Sequence, residues 1–207
     1  MTNHLWTIHF MRICIANLLL FISLYMLFPV VPVEMADHLG VPVSQTGAMF
    51  LLLTLGMFAI GPFHAYLVDA YKRKYVCAFS FATMVAATVG YGFVNDITQL
   101  LLLCFVQGIA FGMATTAGIT LAIDITNTNL RSSGNIAFSW AARLGMLIGI
   151  ALGVGLYQWY DFKTLLYVSV IVGLAGIFFV SRVYVPFRAP IVTNLCSSQS
   201  VHGKVHK

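Results

Sequence analysis

Residues 68–77 read VDAYKRKYVC. An apolar run from Gly47 to Val68 halts at Asp69, and another begins at Tyr75. Between them Asp69, Lys72, Arg73 and Lys74 supply four of the 17 charged residues in the chain (11 Lys and Arg, 6 Asp and Glu). A knot of charge between two runs, each long enough to cross a hydrocarbon layer as helix, reads as a turn held at a membrane surface.

Composition agrees with that reading. The 207 residues are 60% hydrophobic and 8% charged, against about 45–50% and about 25% for an ordinary soluble domain. A small water-soluble fold leaves too much surface exposed to hide so much apolar material. Lipid is therefore the expected solvent, and the chain reads as an integral membrane protein. Six runs qualify as spans: 13–32, 47–68, 75–94, 98–123, 136–158 and 164–185. They are apolar nearly all round, unlike the alternating strands of a barrel. Pro29, Pro32, Gly40 and Pro42 mark a turn after the first run. Asn95-Asp96, the segment TNTNLRSSGN (126–135) and Tyr160-Asp161 mark turns after the third, fourth and fifth. The first run has no convincing cleavage site behind it and is expected to stay as a helix. Residues 1–190 form the expected bundle, with 191–207 a polar, disordered cytoplasmic tail.

With six spans both termini share a side. That side receives Arg12, Lys72, Arg73, Lys74, Arg131, Arg182, Arg188, Lys204 and Lys207. The other side receives Lys163 with Glu34, Asp37, Asp96 and Asp161. Such a bias predicts cytoplasmic termini in a bacterial-type inner membrane. The net charge of +5 falls in connecting segments rather than along a helix face, which argues against nucleic acid as a partner. The four cysteines, Cys14, Cys77, Cys104 and Cys196, are scattered and support neither a disulfide framework nor a metal site. No cofactor is expected.

The turn and its flanks resemble a known family. GPFHAYLVDAYKRK (61–74) is similar to the loop between the second and third helices of the major facilitator superfamily, roughly Gly-x-Leu-(small)-Asp-Arg-x-Gly-Arg-(Arg/Lys). Leu67, Asp69, Arg73 and Lys74 match, and Gly61 fits a glycine one turn earlier. Ala65 and Lys72 stand where glycines are usual, and Ala70 where an arginine is usual. The first span ends in LFPVVPVEM (27–35), like the proline-rich exit of many members. CFVQGIAFG (104–112) in the fourth span is similar to the family's Arg-x-x-Gln-Gly segment, with Cys104 at the arginine position. GMLIGIALG (145–153) in the fifth looks like the antiporter motif, with Ile150 in place of proline. Those two replacements argue against proton-driven drug antiport.

The resemblance implies an all-α membrane fold of six helices arranged as two inverted three-helix repeats, the N-terminal half of a twelve-helix transporter. It implies alternating-access transport of a small solute, the other half being lost by truncation or supplied by a second six-helix chain or a homodimer. It also implies a gating relay, Asp69–Arg73–Asp124, between the cytoplasmic ends of the second and fourth spans; the plainer reading of Asp69 is local charge balance.

Polar residues within the spans are few. Arg143 lies about two turns into the fifth span, where an arginine costs roughly 2.5–3.5 kcal/mol at a helix centre. It is expected to line the central cavity and hold an anionic group, to pair with Asp124, or to snorkel to the interface. Asn17 and Gln107 are either substrate contacts or interhelical struts. His64 reads as packing rather than proton coupling. Gly108 with Gly112, and Gly145 with Gly149 and Gly153, form small faces for close helix packing.

Rival functions fare less well. Intramembrane hydrolysis would need a nucleophile with its base, and a channel would need a filter loop or a ring of like charge; the sequence shows neither. A non-transporting six-helix interaction protein stays as the alternative.

Overall fold

The computed structural model describes residues 5–40 and 43–184, without the side chains of residues 43–46, 64, 65 and 68–70. Described residues form seven α-helices and no strand: α1 Ile8–Leu27, α2 Val30–Leu39, α3 Val43–Ala70, α4 Arg73–Gly90, α5 Ile97–Ile125, α6 Arg131–Trp159 and α7 Phe162–Ser181. Among the described residues, five stretches are long and apolar enough to cross a membrane: Ile8–Leu39, Arg73–Phe93, Ile97–Ile125, Thr128–Trp159 and Phe162–Ser181. Helix α3 has 28 residues, about 42 Å of helix, with a described apolar stretch at Gly47–Phe63.

Two expected boundaries move. The first span does not end in a turn at Pro32. Helix α1 stops at Leu27, and α2 restarts at Val30. Pro29 and Pro32 have no N–H, so the carbonyls of Tyr25 and Phe28 have no donor four residues on. The same missing N–H makes Pro32 harmless within the first turn of α2, where no intrahelical partner is needed. Gly40 then ends α2 with φ 62°, the left-handed conformation that favours glycine at a helix C-terminus.

The second shift is at the fifth span. SSGN (132–135) was expected in a loop, yet α6 begins at Arg131 after a 3₁₀ turn at Thr128–Leu130. Local composition favours a turn, but packing decides otherwise. Gly134 is buried so close to Thr126 that a Cβ would come within 3.2 Å of its methyl group.

The packing follows a simple scheme. Helix α1 lies along α6 and, on another face, along α7. Helix α5 lies along α3 and α4, and α4 also packs on α7. Chain neighbours α3 and α4 touch little, as do α6 and α7.

Glycines set the closest approaches. At Gly145 an added Cβ would lie 2.5 Å from the Leu18 carbonyl, and at Gly149 2.9 Å from that of Ile22. Gly153 faces the Met26 carbonyl, Gly108 that of Leu53, and Gly112 the side chain of Ile60. These approaches let backbones meet where lipid offers no hydrophobic drive and dispersion must hold the helices.

The core divides into two clusters along the bundle. Phe10, Ile13, Phe81, Leu121 and Val180 fill the half near the α1 start, and Met26, Leu27, Leu100 and Leu165 fill the other. At the first end Thr7 caps α1 by accepting from the Phe10 N–H at 3.2 Å. There Arg12 donates to the Arg182 carbonyl at 2.9 Å, and the Tyr184 N–H donates to His9 Nδ1 at 3.2 Å. Deeper between α1 and α7, Ser23 and Ser169 each donate to the other's backbone carbonyl at 2.9 Å.

Candidate functional site

At the basic end, the turn between α3 and α4 delivers Arg73 as the first residue of α4. Its Nη1 reaches Asp124 Oδ2, near the end of α5, at 2.5 Å, with both side chains partly buried. Two residues 51 apart in sequence thus join α4 to α5 through a charge-assisted hydrogen bond. The third member of the expected relay, Asp69, lies outside the described side chains, as does His64.

The opposite end is polar and more open. Glu34 of α2 accepts a hydrogen bond from the Tyr157 hydroxyl of α6 at 2.9 Å. Around them is a cavity of about 530 Å³ whose wall includes His38, Tyr91, Asp161 and Lys163. No motif announced the Glu34–Tyr157 pair. An acidic residue just after the proline break was the available signal, but its partner is 123 positions away.

Between the two ends, the polar residues expected within the spans take different roles. Asn17 is buried, and its Nδ2 donates to the Phe138 carbonyl at 3.1 Å. That is the geometry of an α1–α6 strut. Gln107 is buried on α5, where its Oε1 accepts from the Tyr91 hydroxyl. Arg143 is exposed on α6, with its guanidinium 5.8 Å from the centre of the Trp140 ring. Asp124, offered from the sequence as a possible partner for Arg143, is bonded to Arg73 instead. The ion pair, Asn17 and Gln107 are not gathered into one pocket; they sit at successive levels of the bundle.

The flanks complete the class. Phe58, Phe79, Leu102, Tyr167 and Ile171 are largely exposed along the helices. Trp6, Tyr71, Tyr75 and Tyr184 project at one end, with Trp159 and Tyr160 at the other. An apolar middle between two aromatic girdles is the surface that a bilayer requires. The fold is thus that of a multi-pass α-helical membrane protein with an ion pair set across its basic end. The Major Facilitator Superfamily model matches residues 13–194. The chain belongs to that family, whose members are membrane transporters. No curated protein matches the chain.

Proposed function

We propose that this chain moves a small solute by alternating access, as a six-helix body working against a second one. The observation that carries the reading is Arg143, a permanent cation exposed on α6. It lies twelve residues beyond Arg131, roughly 18 Å along a helix of about 43 Å at 1.5 Å per residue. A charge at that depth facing hydrocarbon is costly, and it is expected to face a water-lined cavity or a partner. A second body over this face creates such a cavity, and Arg143 then meets an anionic group of the solute.

The packing supports a repeat within the body. Exchanging α1 with α5, α3 with α6 and α4 with α7 turns the α1–α6 contact into α5–α3, and α1–α7 into α5–α4. The α4–α7 contact maps onto itself. Three helices (α1 with α2, α3, α4) and three helices (α5, α6, α7) related this way constitute the inverted repeat of a transporter half. The Arg73–Asp124 pair ties the two repeats at the basic end, which the excess of Lys and Arg assigns to the cytoplasm. With Asp69 it forms a gate latch, released when the repeats rock.

The test is solute counterflow into proteoliposomes holding the full chain, alone and with a co-expressed second six-helix half. Flux of an anionic solute that is lost in Arg143→Ala supports the reading. Should no member of a broad solute panel move in either preparation, the alternative stands: a six-helix membrane protein that assembles with a partner without transporting.

A further inference from the structure

Gln107 is 2% exposed, and its Nε2 finds no hydrogen-bond acceptor among the described residues. Its Oε1 is already engaged by the Tyr91 hydroxyl. Reversing the amide would only transfer the unmet valence from the donor to the acceptor, because one hydroxyl cannot serve both ends. A buried polar group left without a partner costs about 1–3 kcal/mol, so the site calls for a ligand.

The side chain lines a cavity of about 30 Å³, together with Phe28, Pro32, Leu53, Tyr91 and Cys104. A water molecule needs about 10–15 Å³ of such space, whereas small organic ligands occupy pockets of about 300 Å³ or more. No charged side chain is in the wall, so an ion has nothing to hold it. A second group, on a residue of the same wall, has no backbone donor among the described residues. Phe28 is followed four residues later by Pro32, which cannot donate to its carbonyl, and the break between α1 and α2 falls here.

We propose that this cavity is a binding site for one water molecule, which accepts from the Gln107 amide and donates to the Phe28 carbonyl. Water is the ligand whose donors and acceptors suit both groups within the space available. Tyr91 belongs to the walls of this cavity and of the 530 Å³ cavity at the acidic end. The residue common to both walls marks the route by which water would enter. The bound water fastens the α1–α2 break to α5, so the break is a joint with a defined resting position. The site stands on the cavity and its two unmet groups, and holds whether or not the chain transports.

The experiment is a structure of the full chain in lipid nanodiscs, at a resolution that shows ordered water. Density within about 2.7–3.2 Å of the Gln107 amide nitrogen is expected. A dry cavity, or one filled by a side chain or an acyl chain, overturns the proposal. Thermal unfolding of the double variant Tyr91→Phe/Gln107→Leu provides an independent readout. With water in the wild-type site the double variant melts several degrees lower, because the Phe28 carbonyl loses its donor. If the wild-type site is dry, removing an orphaned amide raises the melting temperature, which also overturns the proposal. Where the double variant fails to fold, the wild-type map alone decides.

Discussion

Asp124 shows what one side chain contributes. Its carboxylate satisfies Arg73 in a partly buried setting, where removing one partner costs more than on an open surface and less than in a dry core. Asp124→Asn is therefore expected to weaken the α4–α5 contact by about 1 kcal/mol, raising the locally open population roughly fivefold. Cys77 reports this, since it is buried on α4 one turn beyond Arg73 and faces the Ala114 carbonyl of α5 at 4.0 Å. With Cys14, Cys104 and Cys196 replaced by alanine, Cys77 should alkylate about five times faster in Asp124→Asn. An unchanged rate would show that the ion pair does not hold the two helices. At this scale the sequence was informative about identity and silent about partners. Asn17 and Gln107 stood out because amides are rare in apolar runs, but whether each met protein or solute depended on residues 121 and 16 positions away.

Helices in this bundle are spaced by what their small residues allow. Gly153 and Gly155 are two positions apart on α6, yet their surroundings differ. A Cβ at Gly153 would overlap the Met26 carbonyl, while one at Gly155 meets nothing within 4 Å. Gly153→Ala must push α1 and α6 apart, which is expected to cost about 1–3 kcal/mol. Gly155→Ala should be neutral or stabilising by up to about 1 kcal/mol through helix propensity. Thermal unfolding in detergent separates the two, and equal melting temperatures would refute the close-approach account. The element boundaries follow the same logic. The proline break is readable because Pro removes a donor wherever it stands, whereas the start of α6 at Arg131 is not, because Gly134 packs there against Thr126 and the distant Leu5.

For the whole molecule, orientation is a sum over loops rather than a property of any one. Lys72, Arg73 and Lys74 are three of nine basic residues assigned to one side, against Lys163 on the other. Replacing all three by serine leaves six against one, so the orientation is expected to hold. Adding Asp37→Lys, Asp96→Lys and Asp161→Lys brings the count to six against four and should yield mixed topologies. Reporter fusions in the 71–74 turn and after residue 184 measure both outcomes. A flip caused by the serine replacements alone would show that the turn dominates the sum.

The sequence by itself determined the solvent, the number of apolar runs and the sign of the loops, because hydropathy and charge are local properties that add along the chain. It carried the family resemblance too, in a turn whose charged residues sit together in sequence. Only the tertiary structure decided that Asp124 meets Arg73, that Glu34 meets Tyr157, and that Ser23 and Ser169 lock α1 to α7. The partners lie 51, 123 and 146 positions apart in sequence. In a bilayer every span is apolar on all sides, so no periodic pattern marks which face a helix turns to which partner. Packing of small residues and the pairing of buried polar groups make that choice, and both exist only once the helices are side by side.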